Sequence, residues 1–344
     1  MYKIKQTPED FIVKELSELN IEQNGQYAYY ILKKTGHTTI DALQILSKKF
    51  KTPLKNFGFA GNKDRNAVTE QKISIFRGRK DAQTKFGTAL GGFENIKSRY
   101  IGLEYLGNGK NPISLGELEG NEFTITIRNI NYKEAKKIQS SENKIIKIPN
   151  FYGPQRFSKN NSLVGRAIIK GNFKKSVELL LENEGYAENK IRQYLEKNKN
   201  NYIEALRLIP LKTRKLFVHS YQSFLFNKIA DKYLKFIGKK GKLKNIKIPI
   251  IGFNFEINGI KGTKLKIIIK KILEEEKINP RDFITSRIPE LTSEGGFRDL
   301  FFDMKFGILE SGEDELNRKR QKIRIKFTLP KSCYATVALE WLFQ

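Results

Sequence analysis

The strongest constraint on the fold is a two-residue alternation of apolar and polar side chains that occurs near both ends of the chain. In the segment NEFTITIRNI, the apolar positions Phe123, Ile125 and Ile127 are separated by polar residues. In KIRIKFTLP (residues 322–330), apolar side chains alternate with arginine, lysine and threonine in the same way. Because successive side chains of a strand point to opposite faces, both segments predict half-buried strands with a polar outer face.

The middle of the chain has a different pattern. From about residue 163 to 236, apolar residues recur at helical spacing, as in SVELLLENEG and SFLFNKIADKYLKF, and Gly185 occupies a position at which a helix could end. The first third is mixed: QYAYYILKK predicts a strand, and HTTIDALQILSKKF predicts a helix capped by Thr38 or Thr39. The expected class is α+β, with both chain ends in one sheet domain and the middle forming a second body.

The composition narrows the classes of partner. The 344 residues include 64 Lys and Arg against 37 Asp and Glu, and the net charge of +27 favours a nucleic-acid partner over a mere compositional bias of the source. The single cysteine, Cys333, excludes an internal disulfide and a Cys-rich zinc site, and two separated histidines argue against a His-based metal site. Without an apolar run of about 20 residues or a signal-peptide pattern, the expected location is the cytoplasm.

The run GFAGNKDRNAVTEQKISIF (58–76) places one carboxylate, Asp64, between Lys63 and Arg65 next to a glycine turn. A phosphate-binding P-loop is excluded, because the glycine spacing is wrong and Lys63 is followed by aspartate instead of Ser or Thr. A guanine-reading Asn-Lys-x-Asp element fails as well, because Arg65 stands where its aspartate is required. Two readings therefore remain: a salt-bridged surface turn, or a carboxylate kept ionised for chemistry.

The wider sequence around this run resembles one family in six blocks that occur in order. AGNKDRNAVTEQ resembles the signature around the catalytic aspartate of the TruD family of pseudouridine synthases. The other five blocks that resemble elements of this family are TPEDFIVKEL (7–16), LEGNEFTITIR (118–128), PNFYGPQRFS (149–158), SFLFN (223–227) and LPKSCYATVALEWL (329–342). Together the blocks span almost the whole chain.

The resemblance implies a fold and an activity. It implies a catalytic domain with a mainly antiparallel sheet, formed by residues 1–155 and 300–344, and a more helical insertion domain, residues 156–299, that clamps the RNA. The implied activity is isomerisation of uridine to pseudouridine in tRNA, typically at uridine 13, without a cofactor or metal. Asp64 matches the family's nucleophile, and an aspartate is ionised at neutral pH without help.

The resemblance also implies residues around Asp64. A nearby cation would stabilise the charged form of the Asp64 carboxylate, and the candidates are Lys5, Lys63 and Arg65. Lys5 and Lys63 could each pair with Asp64 or meet a phosphate, while a solvated N-terminal lysine is the alternative for Lys5. The sequence does not decide whether Asp64 attacks the ribose C1′ or the uracil C6.

Four further residues are candidate substrate contacts. Asn121 and Phe123 match an Asn and a Phe that the family places near the target nucleotide, and Tyr334 stands where the family usually has Phe. Aromatic stacking would offset the cost of flipping the base out of the RNA, although Phe123 and Tyr334 could instead be buried core residues. Arg156 would contact the RNA backbone or brace the junction between domains.

The basic stretches Lys239–Lys247 and Arg318–Lys326 are candidate phosphate contacts, and each could equally be a solvated face. An RNA-binding role predicts affinity that falls steeply as salt rises. A non-catalytic RNA-binding protein or RNA chaperone is the alternative function, and it leaves Asp64 without a role. A monomer is the expected state.

Overall fold

The computed structural model describes residues 1–78, the backbone of 84–86, and residues 99–238 and 246–343. The chain forms two compact units. The first consists of Met1–Ile146 together with Asp303–Gln344, and the second consists of Lys147–Phe302. The division into a catalytic domain and an RNA clamp stays a prediction.

The secondary structure is mixed, and the predicted α+β class is confirmed. The strands of the described residues are β1 (Phe11–Leu16), β2 (Tyr27–Thr35), β3 (Phe57–Phe59), β4 (Val68–Phe76), β5 (Thr84–Phe86), β6 (Tyr100–Gly109), β7 (Gly120–Ile130), β8 (Ile146–Pro149), β9 (Lys247–Ile250), β10 (Gly296–Asp299), β11 (Phe301–Met304), β12 (Phe306–Glu313) and β13 (Gln321–Pro330). The helices are α1 (Thr39–Phe50), α2 (Tyr132–Ser140), α3 (Asn161–Ile169), α4 (Phe173–Leu181), α5 (Tyr186–Lys197), α6 (Tyr202–Arg207), α7 (Leu211–Ile237), α8 (Thr263–Glu276) and α9 (Ala335–Leu342). No helix of the described residues is long and apolar enough to cross a bilayer.

The first unit is built on one sheet with the strand order β12-β13-β7-β1-β4-β2-β6-β5, and β3 pairs with β4. All these pairs are antiparallel except β1 with β4. The two alternating segments, β7 and β13, are neighbours, although about two hundred residues separate them in sequence. Segments from both parts of the chain therefore lie side by side in one sheet.

The register defines which side chains share a face of this sheet. Val13 lies opposite Phe123 on β7 and Thr69 on β4, and Phe123 lies opposite Phe327 on β13. Because directly opposed residues point to the same side, these side chains define one face, which we call the front face. Towards β2 and β6, buried apolar side chains of the front face pack with α1. Thr38 caps this helix, as one of the two predicted alternatives.

The expectation of a polar outer face is wrong for the second half of β7. Thr126 and Arg128 are only 6% and 7% exposed. Main-chain bonds to Lys3 lay the N-terminal segment against Arg128, whose guanidinium is bound by Asp10 at 2.8 Å and Asp314 at 3.0 Å. Burial of a cation is tolerated here because carboxylates surround it.

The second unit contains α3–α8 around one apolar core, with the short antiparallel pair β9–β10. Helices α3 and α7 cross closely at Gly165, where any side chain would collide with the main chain of Phe217. The prediction for Gly185 is wrong in detail: α4 ends at Leu181, and Gly185 directly precedes α5. Most of the basic stretch 239–247 lies outside the described residues; its last residue, Lys247, begins β9.

Candidate active site

The loop between β3 and β4 presents Asp64 at the centre of the first unit's sheet. β3 lies so close to its neighbours that a side chain at Gly58 would collide with Ser74 and the main chain of Ile113. Ala60 follows it as a buried residue, and its carbonyl oxygen accepts a hydrogen bond from Gly116. The base of the loop is thus fixed by packing, whereas the Asp64 side chain is 37% exposed.

Three side chains from other elements, those of Thr39, Gln71 and Lys34, form hydrogen bonds with the main chain of the loop. The main-chain nitrogen of Lys63 donates to Thr39 Oγ1 at 2.8 Å, and that hydroxyl donates to Gln71 Oε1 at 2.8 Å. Gln71 Nε2 in turn donates to the carbonyl oxygen of Gly61 at 2.9 Å. Thr39 and Gln71 are buried, so these bonds are shielded from water and rigidify the loop.

The third side chain is Lys34, which is 0% exposed. Its Nζ donates to the carbonyl oxygens of His37 at 2.8 Å, Asp64 at 2.9 Å and Lys63 at 3.4 Å. Burial lowers the pKa of the Lys34 ammonium from 10.5 to about 8, against the opposing effect of the Asp64 charge. Lys34 therefore ties the end of β2 directly to the main chain of Asp64.

Lys5 is the cation that meets the Asp64 carboxylate. Its Nζ lies 2.6 Å from Asp64 Oδ2 and 4.1 Å from the centroid of the Phe11 ring. The lysine side chain is only 19% exposed, so it is not a solvated N-terminal residue. A partly buried ammonium at this distance makes a charge-assisted hydrogen bond to the carboxylate and limits its rotation.

Lys63 does not pair with Asp64, and that expectation is wrong. Its Nζ lies 2.8 Å from Glu15 Oε2 and donates to Asn121 Oδ1 at 2.7 Å. Glu15 lies opposite Asn121 on the front face, and its side chain is fully buried. The side chains of Lys63 and Asp64 therefore diverge: Lys63 reaches Glu15 and Asn121, whereas Asp64 reaches Lys5. Arg65 instead reaches Asp41, at 3.8 Å.

Phe123 is a core residue in this structure. Its ring stacks on Phe327, with centroids 5.4 Å apart, and meets the edge of Phe11 at 6.1 Å. It is 7% exposed, whereas Asn121, two residues earlier on the same face, is partly exposed. Phe11 thus links the aromatic cluster to Lys5 and, through it, to Asp64.

Tyr334 is half-buried and immediately precedes α9. It follows the end of β13, where Leu329 lies opposite Asn121 and Pro330 opposite Gly120. The structure therefore brings the chain at Tyr334 to the end of the sheet at which Asn121 lies.

Comparison with known proteins decides the family. A family model described as tRNA pseudouridine synthase D (TruD) matches residues 2–193, 182–240 and 235–340, which together make up almost the whole chain. The protein belongs to the TruD family of tRNA pseudouridine synthases. It is accordingly an isomerase, as the resemblance of its sequence motifs implies.

Similarity to individual TruD proteins extends over their full lengths. A tRNA pseudouridine synthase D of Aquifex aeolicus is 27% identical, covering 99% of this chain and 98% of the relative. A "Probable tRNA pseudouridine synthase D 1" of Methanococcus maripaludis is 29% identical, covering 99% of each. The crystal structure of a TruD protein from Methanosarcina mazei superimposes with a TM-score of 0.71 at 26% identity, over 99% of this chain and 93% of that one.

Arg156, the remaining predicted contact, belongs to the second unit. Its Nε donates to Ser223 Oγ at 3.2 Å, and its guanidinium carbon lies 5.7 Å from the centroid of the Tyr152 ring. The six sequence-predicted substrate contacts therefore divide: five lie in the first unit with Asp64, and Arg156 is held by the elements of the second.

Sequence reasoning missed Lys34 and Glu15. A signal for both was present, because alternation along β2 places Lys34 on the same face as Tyr30 and Leu32, and alternation along β1 places Glu15 with Val13. A charged residue on the apolar face of a strand is rare unless it is paired. Here Lys34 bonds to the main chain of the Asp64 loop, and Glu15 pairs with Lys63 of that loop.

The arrangement suits a carboxylate that reacts while its surroundings stay fixed. Asp64 Oδ2 is held by Lys5, and Oδ1 accepts no hydrogen bond from any of the described residues. The carboxylate is partly exposed, beside an aromatic cluster and on a loop braced by buried bonds. Such preorganisation places one oxygen free to attack a bound substrate.

Proposed function

We propose that the protein converts uridine 13 of tRNA to pseudouridine with Asp64 as the nucleophile. The observation that carries this proposal is the 2.6 Å pair between Lys5 Nζ and Asp64 Oδ2, on a loop braced by Lys34, Thr39 and Gln71. A surface turn would not need these buried supports. Membership of the TruD family supports tRNA as the substrate and the cytoplasm as the location.

The reaction rearranges bonds without net addition or loss. The bond between C1′ and N1 breaks, the uracil turns, and a bond between C1′ and C5 forms, while C5 loses its proton and N1 gains one. Asp64 Oδ1 forms a transient covalent bond at C1′ of the ribose or at C6 of the uracil. Lys5 supplies a positive charge beside the carboxylate when the bound RNA excludes water from it.

The target nucleotide must leave the RNA stack before it can reach Asp64. That step costs a few kcal/mol, and stacking on an aromatic ring restores about 1–3 kcal/mol. In this proposal Tyr334 and Phe123 supply the aromatic surface, and Asn121 Nδ2 offers a donor to the base while Oδ1 is occupied by Lys63. Because Phe123 is 7% exposed, Tyr334 supplies most of this surface in the proposal.

The net charge of +27 supports the RNA-binding part of the proposal. Of the stretch Arg318–Lys326, the residues Arg318, Lys319 and Arg320 are exposed, whereas Lys322 and Lys326 are paired with carboxylates. Phosphate contacts are therefore assigned to the first three residues. Binding through them is expected to weaken steeply as the salt concentration rises.

The decisive experiment uses transcribed tRNA that carries tritium at C5 of its uridines, because isomerisation releases this tritium. The wild-type protein should release one equivalent of tritium per tRNA, and the variants Asp64→Asn and Asp64→Ala should release none. Asp231→Asn is the matched control, because Asp231 also pairs with a lysine, Lys235, at 2.7 Å on an exposed surface.

The position is tested with a tRNA in which cytidine replaces uridine 13. Release of tritium from this tRNA at the wild-type rate would contradict uridine 13 as the target. Near-normal turnover by Asp64→Asn would remove Asp64 from the role of nucleophile.

A further inference from the structure

Two of the sequence blocks that the Asp64 site does not use meet each other in the second unit. Asn227 on α7 accepts from the main-chain nitrogen of Tyr152 at 2.9 Å and donates to its carbonyl oxygen at 2.9 Å. Arg156, four residues after Tyr152, is held as well: Ser220 Oγ on the same helix donates to its carbonyl oxygen at 2.7 Å. Segment 152–156 is therefore fastened to α7 at both ends by side-chain bonds.

A cavity of about 230 Å³ opens beside this junction. Its lining includes Arg156, His219, Ser223, Gly296 and Phe297, together with the exposed residue Glu294. Small-molecule pockets are generally larger, about 300–1,000 Å³. The size therefore suits no ligand group larger than a single nucleotide.

The guanidinium of Arg156 has N–H groups that make no hydrogen bond to the described residues. Its Nε is used by Ser223, but among the described residues no acceptor lies on Nη1 or Nη2 and no carboxylate lies within 4.0 Å. An arginine fork binds a phosphate through two parallel hydrogen bonds. Burial and the neighbouring charges of Arg156 and Lys215 lower the pKa of His219, so the positive charge that the cavity offers to a phosphate comes from Arg156.

An exposed aromatic ring also lines the cavity, and there is open space beside it. Phe297, on β10 opposite Pro249, is 60% exposed although it is a large apolar residue. Gly296 has no heavy atom within 4 Å of the position that a Cβ would occupy. Bases of single-stranded RNA stack on such exposed rings, often next to an arginine.

We propose that this cavity, the Arg156 pocket, binds one unpaired nucleotide of the tRNA substrate, with the phosphate on Arg156 and the base on Phe297. The inference rests on the proposed function, because it takes the RNA to be the tRNA that the enzyme modifies. The pocket assigns a role to the two sequence blocks that the Asp64 site leaves unused.

The test measures tRNA binding by three variants of the pocket. Phe297→Ala removes the stacking ring, Gly296→Leu fills the opening, and Arg156→Lys retains the charge but loses the fork. We expect each to raise the Kd for tRNA about fivefold or more. Tyr186→Ala is the control, because Tyr186 is 78% exposed in the same unit and also lies beside a lysine, Lys190.

The salt dependence of the Kd for tRNA distinguishes the loss of a phosphate contact from a change in folding. Arg156→Ala should make the slope of log Kd against log salt less steep, by the amount that corresponds to one lost phosphate contact. Phe297→Ala should leave the slope unchanged.

The pocket is overturned if Phe297→Ala and Gly296→Leu both bind tRNA with the wild-type Kd. Tritium release by the wild-type protein is measured in parallel. Absence of that release would count against the proposed function, whereas normal release with unchanged Kd values counts against the pocket alone.

Discussion

The ammonium of Lys34 lies 2.9 Å from the main-chain oxygen of Asp64, so a buried strand residue holds the backbone of the predicted nucleophile. The same ammonium also bonds to His37 and Lys63 and has no exposed surface. Positioning of Asp64 is therefore shared between two lysines: Lys34 holds its main chain, and Lys5 holds its carboxylate.

Lys34→Met should lower both stability and turnover. Methionine fills a similar volume but leaves buried carbonyl oxygens without donors, which costs about 1–3 kcal/mol of unfolding free energy. Lys33→Met is the matched control, because Lys33 points to the other face of β2 and pairs with Glu104 at 2.9 Å. Denaturant unfolding and tritium release check the prediction, and equal losses in the two variants would contradict it.

The stability contribution of Lys34 should depend on pH. Its pKa is about 8 in the folded protein against a usual 10.5, so below pH 8 both states are charged and the cost of burying the charge is fully present. Between these pH values the unfolded chain binds more protons than the folded chain, so the free energy of unfolding rises with pH. The rise amounts to about 3 kcal/mol.

This rise is measured as the difference in unfolding free energy between wild type and Lys34→Met at several pH values from 8 to 10.5. The variant lacks the titrating group, so changes from other residues cancel in the difference. A difference that stays constant over this window would show that Lys34 keeps its usual pKa.

Lys5→Met should reduce turnover far more than stability. The pair with Asp64 is partly exposed, so its loss removes little folding energy, but the carboxylate loses its charge partner and its orientation. We expect turnover to fall about 10- to 100-fold, in line with one charge-assisted hydrogen bond. Lys3→Met, two residues earlier, should retain normal turnover; an equal loss there would point to a general effect of the N-terminal segment.

Lys63→Met should do the opposite and mainly destabilise the fold. It leaves Glu15 as a buried carboxylate without its cation, and breaking such a pair costs about 3–5 kcal/mol. The double variant Lys63→Met/Glu15→Leu removes both charges and should recover most of that stability. Thermal unfolding of the three proteins tests this, and a fully stable Lys63→Met protein would mean that the pair is not buried in solution.

Phe123→Leu should separate packing from substrate contact. Leucine keeps most of the apolar contact with Phe11 and Phe327, so the free energy of unfolding should fall by less than about 1.5 kcal/mol. If Phe123 also meets the target base, tritium release should fall by a larger factor than this stability loss explains. Turnover equal to the wild type would identify Phe123 as a core residue alone.

Local patterns in the sequence were sufficient for the strands β7 and β13, the capped helix α1 and the long helix α7. Each is encoded by periodicity or a capping residue within a short window. The outer face of β7 was predicted incorrectly, because the residues that cover Arg128 come from both ends of the chain. Periodicity shows that a face is apolar, and it carries no information on what distant segment covers the other face.

By itself, the sequence determined the family, the class of fold and the loop that carries Asp64, because these depend on residues that stand close together in the chain. Only the tertiary structure decided that Lys5, and not the adjacent Lys63, meets the Asp64 carboxylate, and that Lys34 holds the loop. The physical reason is strand pairing. The order β7-β1-β4-β2 and its register bring residues 5, 15, 34, 64 and 121 together, and pairing between strands depends on the whole chain.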